Sequence, residues 1–107
     1  MDRAVIVSTA RTPIGRAYRG AFNNTPAPTL AAHAIRNAIE RASVAPEEVA
    51  DVVLGCAMQE GSQGYNIGRV ALMRAGLPAS VTGTTRYASA SGHPPINVRI
   101  RTPDAAV

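Results

Sequence analysis

Ala4-Val5-Ile6-Val7-Ser8-Thr9-Ala10-Arg11-Thr12-Pro13-Ile14-Gly15 is the stretch that sets the expected fold. Its apolar first part is typical of a strand that is buried on both faces, as the strands of parallel sheets are. Pro13 has a fixed φ and no amide hydrogen, so this strand has to end by Thr12. The sequence therefore predicts a buried first strand, followed by a polar loop.

A helix is expected next, over residues 30–42, after a loop at 16–28 that is rich in turn-forming residues. Thr29 is a good N-cap residue for this helix. Apolar residues recur at a spacing of three and four and form one stripe, which comprises Leu30, Ala34, Ile35, Ala38, Ile39 and Ala42. His33 lies off that stripe, and a lone histidine on the solvent side of a helix indicates a surface residue rather than a catalytic one.

Further along the chain, Val52-Val53-Leu54-Gly55-Cys56-Ala57 predicts a second buried strand, preceded by a connector in which Pro46 suits the first turn of a short helix. Strand, helix and strand in this order favour a right-handed βαβ crossover. A second helix is expected over residues 67–75, capped by Asn66 and closed by Gly76. A third strand is expected over 81–85. The fold class is therefore α/β, with a βαβαβ order and an open, mixed and incomplete sheet.

Composition limits the classes of protein to consider. A length of 107 residues allows one domain with a modest core or a piece of something larger, and 46% hydrophobic with 17% charged residues indicates a globular protein. The net charge is +4 and all eleven basic residues are arginine. They are dispersed among acidic residues over most of the chain, which is typical of a solvated surface and argues against nucleic-acid binding.

Cys56 is the only cysteine, so no intrachain disulfide and no cysteine-rich metal site is expected. The N-terminal apolar run is too short for a signal peptide and ends in an arginine. No window of the sequence approaches the roughly 20 apolar residues that a membrane span requires. We therefore expect a cytoplasmic protein with no membrane association.

Four stretches resemble the thiolase family, in the family's order and spacing over residues 4–85. They are the opening segment Ser8-Thr9-Ala10-Arg11-Thr12-Pro13-Ile14-Gly15, the strand at 51–57, the loop and helix start at 60–69, and the turn and strand at 75–85. The resemblance implies a partial thiolase-like N-terminal domain and an acyltransferase of fatty acid metabolism that cleaves 3-ketoacyl-CoA or condenses acetyl-CoA. The loop at 63–69 is similar to that of the ketoacyl-CoA-cleaving branch. Coenzyme A would be a substrate, and no cofactor is implied.

The resemblance fails at the nucleophile. In the family, Gly-Thr-Thr is followed by Val-Asn-Arg/Lys-x-Cys-x-Ser-Gly, in which the cysteine carries the acyl group. This chain has Arg86-Tyr87-Ala88-Ser89-Ala90-Ser91-Gly92 instead. Ser89 takes the place of the cysteine when the motifs are aligned backwards from Gly92, and Ala90 takes it when they are aligned forwards from Gly83. Neither residue supplies a thiolate, which is the nucleophilic form of cysteine.

Two other residues are candidates for a catalytic role. Cys56 lies on the second strand rather than at the nucleophile's turn, and a single buried cysteine ordinarily serves as a small apolar residue. Gly92-His93-Pro94 matches a thiolase motif that belongs to the family's C-terminal half, but its glycine-rich flank is missing. We therefore assign no catalytic, cofactor-binding or metal-binding residue from the sequence.

The resemblance and its failure at the nucleophile predict two regions in the chain. Residues 1–85 are expected to form a truncated thiolase N-terminal domain, and residues 86–107 a divergent, irregular tail rich in arginine and proline. A change of reading frame near residue 86 is the simplest hypothesis for that tail.

Three functions stay open: a thiolase by ancestry that is inactive as it stands, a non-catalytic fragment that pairs with thiolase subunits, and a small arginine-rich nucleic-acid binder. An open sheet also favours association through its exposed edge, including formation of a homo-oligomer.

Overall fold

The computed structural model describes residues 3–87 and 96–100. In chain order, its helices and strands are α1 (Ala27–Ala42), β1 (Val49–Gly55), α2 (Ile67–Arg74), β2 (Thr82–Arg86) and β3 (Asn97–Ile100). Two single turns of 3₁₀ helix lie at Pro46–Glu48 and Gly61–Gln63. The first of these confirms the short helix that Pro46 predicted.

The strands form one mixed sheet in the order β2-β1-β3. β1 and β2 are parallel, with Asp51 opposite Thr82 and Gly55 opposite Arg86, and α2 connects them. β3 is antiparallel to β1 and pairs with its other edge. Two helices and an open, three-stranded mixed sheet confirm the α/β class and are consistent with a partial domain of the kind the resemblance implied.

α1 begins three residues earlier than the sequence predicted. Pro26 is its N-cap and makes no side-chain capping bond, while Pro28 lies in the first turn, where a missing amide hydrogen costs nothing. Thr29 is therefore inside the helix, and the prediction that it caps the helix is wrong. Its hydroxyl instead accepts a hydrogen bond of 2.7 Å from Arg74 on α2, which ties the two helices together.

The core lies where α2 packs against α1, β1 and β2, and it is built from aliphatic side chains. Its largest fully buried side chains are those of Ile35, Val52, Leu72 and Val81. His33 is exposed, as expected for a residue off the apolar stripe. α2 begins after Asn66 and is followed by Gly76 at a positive φ of 84°, which confirms both predicted boundary residues.

The predicted first strand is absent from the described structure. Residues 3–16 form neither helix nor strand, and the side chains of Val5, Ile6 and Val7 are 72, 86 and 63% exposed. The expected crossover from residues 4–12 through α1 to β1 is therefore not formed. The predicted strand does not pair because both edges of β1 are occupied, one by β2 and the other by β3.

The expectation of an irregular tail also needs correction for residues 97–100. They form β3, and the partly buried side chains of Ile96 and Val98 pack against the core. The burial of these two side chains explains why this short segment joins the sheet. The placement of a boundary between residues 85 and 86 stays a prediction.

Candidate functional site

An open pocket of about 350 Å³ lies where the N-terminus of α2 meets β2, and it is lined by Gln59, Asn66, Gly83, Thr84 and Thr85. Parallel strands joined by a helix bring the end of one strand and the start of the helix to the same region. Most of these positions belong to the stretches that carried the family resemblance. We therefore take this pocket and its surroundings as the candidate site.

Asn66 connects α2 to β2. Its φ of 59° is left-handed, a conformation that asparagine tolerates better than most residues. Its Oδ1 accepts hydrogen bonds from the Arg69 amide at 3.4 Å and from the Thr85 hydroxyl at 2.6 Å. Its Nδ2 donates to the carbonyl of Gly83 at 3.1 Å. One side chain thus caps the helix and binds two residues of the strand.

The first amides of α2 all have partners. The Ile67 amide donates to Gln59 Oε1 at 3.4 Å, and the Gly68 amide donates to the Thr85 hydroxyl at 2.9 Å. Free amides at a helix N-terminus form a ready site for an anion. Because the protein's own side chains already use them here, this helix end serves to fix the strand and does not present an open anion site.

Two glycines allow α2 and β2 to approach closely. A β-carbon on Gly68 would lie 2.7 Å from the carbonyl oxygen of Thr84, and one on Gly83 would lie 2.7 Å from the Cα of Arg69. Both distances are shorter than real carbon contacts permit, and both neighbours are backbone atoms. The spacing between helix and strand therefore depends on glycine at these two positions.

Arg69 secures the turn that leads into β2. Its guanidinium donates to the carbonyl of Val81 at 2.5 Å and to that of Ala79 at 3.2 Å. Guanidinium donors form strong charge-assisted hydrogen bonds with such carbonyls. Arg69 thus fixes the approach to β2 through two backbone carbonyls.

The prediction that Cys56 lies on the second strand is wrong, because β1 ends at Gly55 and Cys56 follows it directly. Its amide donates to the carbonyl of Arg86 at the end of β2. Its side chain is half-buried. The thiol contacts the Met58 carbonyl at 3.4 Å and Gln63 Oε1 at 3.7 Å. Both partners are neutral oxygen atoms, so neither supplies the base or cation that activates a nucleophilic cysteine.

The sequence candidates for the nucleophile's position, Ser89 and Ala90, lie outside the described residues, as does His93 of the Gly-His-Pro match. The hydrogen bond of Gln59 to Ile67 and those of Asn66 to Gly83 and Thr85 were not predicted, although Asn66 was expected as a cap. Asparagine followed by glycine two residues later, ahead of Gly-Thr-Thr, is the sequence signal available for them. This sequence signal does not by itself show which strand the Asn66 side chain contacts.

Within residues 3–87 and 96–100, no helix has the length and apolar character needed to cross a membrane. The same part of the chain contains no group of three or more histidine, cysteine, aspartate or glutamate side chains that could hold a metal ion.

Comparison with known proteins gives concordant matches. A family model described as "Thiolase, N-terminal domain" matches residues 4–100. The 3-ketoacyl-CoA thiolase of Colwellia psychrerythraea is 43% identical over 86 residues, which is 79% of this chain and 22% of that protein. The 3-ketoacyl-CoA thiolase of Saccharophagus degradans is 44% identical over 82 residues, 76% of this chain and 21% of that protein. The chain thus spans about a fifth of the length of these curated relatives.

Proposed function

Since the chain belongs to the thiolase family through its N-terminal domain, we propose that it derives from an acyl-CoA acyltransferase of fatty acid metabolism and has no thiolysis activity of its own. The relatives' name, 3-ketoacyl-CoA thiolase, makes cleavage of 3-ketoacyl-CoA the ancestral reaction that we favour. Coenzyme A and acyl-CoA would be substrates of the intact enzyme, with no further cofactor.

The surroundings of Cys56 carry this proposal. Thiolysis passes through an acyl group bound to sulfur, and Cys56 is the only sulfhydryl in the 107 residues. Its two contacts are the Met58 carbonyl and the Gln63 side-chain oxygen. Both are neutral oxygen atoms, and neither is the kind of group that activates a cysteine, so this residue is a weak candidate to replace the family's nucleophile.

The structure of the candidate site also supports this proposal. Asn66, Thr85 and the close contact at Gly83 hold β2 firmly against α2, so the strand that leads towards the nucleophile's position is well fixed. Catalytic groups require such fixed supports. The sequence after Arg86 then supplies serine and alanine in place of cysteine. A scaffold suited to acyl transfer thus lacks the group that would carry it out.

A thiolysis assay on the purified chain, with acetoacetyl-CoA and coenzyme A, tests the proposal. We expect no turnover above the uncatalysed rate, and no acyl adduct by intact mass spectrometry after incubation with acetoacetyl-CoA. Turnover that Cys56→Ser abolishes would overturn the proposal and make Cys56 the nucleophile. Turnover that survives Cys56→Ser would overturn it as well, in favour of a hydroxyl nucleophile.

A second candidate function is association with intact thiolase subunits. It is favoured by the outer edge of β2, which pairs with no other strand of the described residues, and by the alternating exposure of its side chains. An open strand edge is a template for pairing with another chain. A homo-oligomer formed through the same edge would satisfy the same groups.

Co-purification of the tagged chain with an intact 3-ketoacyl-CoA thiolase distinguishes this second function from the first. Thr82→Lys places a charge on the exposed β2 edge and should abolish any retention, whereas Glu47→Lys, on the 3₁₀ turn before β1, should leave it unchanged. Retention that both variants preserve equally would dismiss pairing through β2.

Nucleic-acid binding is the least supported function. Of the arginines that would form its patch, Arg99 is engaged with Asp51 through contacts of 2.8 to 3.1 Å.

For location, we infer the cytoplasm, because an unpaired cysteine agrees with a reducing compartment. Cell fractionation with an antibody against the chain tests this inference.

A further inference from the structure

The edge of β1 that β3 occupies is the edge that the N-terminal segment was expected to fill. A strand at residues 4–12, followed by α1 and β1, would form a crossover that places the strand parallel to β1. β2 already pairs with one edge of β1, so the other edge is the one that remains. That edge carries β3 in an antiparallel arrangement.

Two features of the N-terminal segment are typical of a strand that has not paired with a sheet. Val5, Ile6 and Val7 are β-branched residues that favour strands, yet they are largely exposed. The hydroxyl of Ser8 is buried and finds no hydrogen-bond partner in the described structure. A buried polar atom without a partner costs free energy, which favours an arrangement in which this hydroxyl is paired.

β3 is, in turn, weakly anchored. It has only four residues, and its register shifts between Val49 and Asp51, where a bulge interrupts the ladder. Its anchors are the partly buried Val98, the adjacent Ile96 and the pair of Arg99 with Asp51. The Arg99 side chain is 70% exposed, and exposed pairs contribute little.

From these observations we propose that the β3 edge of β1 is an exchange site, for which residues 4–8 and residues 97–100 compete. In the described state the tail strand holds the edge and displaces the N-terminal segment. When the tail strand is weakened, residues 4–8 pair in parallel with β1 and bury their apolar side chains. The exchange is independent of the chain's proposed function.

The hydrogen bond from Arg41 to the Thr9 carbonyl, 2.8 Å long, fits the displaced state. Arg41 is near the C-terminal end of α1, which leads through a short connector to the start of β1. In a strand parallel to β1, Thr9 would lie towards the opposite end of β1. The exchange therefore breaks this hydrogen bond and moves Thr9 along the sheet.

Hydrogen exchange on the full chain tests the proposal. Arg99→Glu places like charges opposite each other on β1 and β3. We expect the amides of residues 98–100 to lose about tenfold in protection and those of residues 5–7 to gain about tenfold. Arg86→Glu makes the same charge change on β2 and should leave residues 5–7 unprotected.

A second variant keeps the test decisive. Ile6→Pro cannot join a sheet ladder, so it should leave the melting temperature of the wild-type chain unchanged but lower that of the Arg99→Glu chain. The proposal fails if residues 5–7 stay unprotected in Arg99→Glu, or if Ile6→Pro has equal effects in both chains. It also fails if Arg99→Glu and the milder Arg99→Ala both unfold the chain without protecting residues 5–7.

Discussion

The two edges of β1 differ in how they are built. On one side, β2 runs parallel over five residue pairs and is backed by α2, with Asn66 and Thr85 binding helix to strand. On the other side, β3 runs antiparallel over four pairs, with a bulge and an exposed ion pair. The paired residues of β1 and β2 are 31 positions apart in the sequence, whereas those of β1 and β3 are 44 to 51 positions apart.

Local contacts fix the β2 half of the sheet, whereas in the proposed exchange two segments compete for the β3 half. The β1–α2–β2 unit carries its own cap, its own close-contact glycines and a buried helix face. The β3 edge is held instead by the partly buried Ile96 and Val98 and by the pair of Arg99 with Asp51. Mutations on the β2 side should therefore cost much more stability than mutations on the β3 side.

The largest effect is expected from Leu72→Ala. Leu72 is fully buried between α2 and the sheet, so truncation leaves a cavity and should lower the free energy of unfolding by about 3 kcal/mol. Met73→Ala, on the exposed side of the same helix, should change it by less than about 0.5 kcal/mol. Urea unfolding followed by circular dichroism measures both. Equal losses would show that α2 does not pack as described.

Gly83→Ala should have the next largest effect. Its added β-carbon would lie 2.6 Å from Leu72 Cδ2 and 2.7 Å from the Cα of Arg69, so helix and strand must move apart. We expect a loss of about 2 kcal/mol in the free energy of unfolding, measured in urea. Thr82→Ala, at an exposed position of the same strand, is the matched control. A neutral Gly83→Ala would mean that α2 and β2 are not in close contact.

Much of the β2 side was predictable from sequence because its signals are local. Asn66 before an apolar-periodic run predicted the start of α2, Gly76 predicted its end, and the valine-rich run predicted β1. What the sequence did not give is the reach of the Asn66 side chain to Gly83 and Thr85. That contact depends on how closely two elements pack, which no single-residue preference encodes.

The β3 side was mispredicted for a physical reason. Ala4 to Val7 carries a stronger strand signal than residues 97–100, so the sequence favoured it for the sheet. Strand propensity measures how well a side chain packs on a half-buried sheet. It does not tell which of two segments pairs with a given sheet edge. Here Ile96, Val98 and the cross-strand pair of Arg99 with Asp51 place the tail strand there.

Asn66→Ala is expected to rank third. It removes the cap of α2 and the bonds to Gly83 and Thr85, and it leaves a non-glycine residue at a positive φ. The loss should be about 2 kcal/mol. Asn66→Gly relieves the backbone cost without restoring any bond, so the difference between the two variants isolates the backbone contribution. If the two variants were as stable as wild type, the side chain would not join α2 to β2.

The smallest effect is expected on the β3 side, from the pair of Asp51 and Arg99. Arg99 Nε lies 2.9 and 3.1 Å from the two carboxylate oxygens, but the Arg99 side chain is 70% exposed and solvent screens the attraction. Asp51→Asn should therefore lower the free energy of unfolding by only about 0.5 kcal/mol, and this difference should shrink as salt is raised towards 1 M.

A double-mutant cycle with Arg99→Ala isolates the pair from the other effects of each substitution. We expect a coupling free energy of about 0.5 kcal/mol at low salt, because one partner is held on a short strand whose ordering offsets part of the attraction. A coupling as large as the loss from Leu72→Ala would contradict the contrast between the two edges of β1. It would mean that the tail strand is fixed by charge rather than by the burial of Ile96 and Val98.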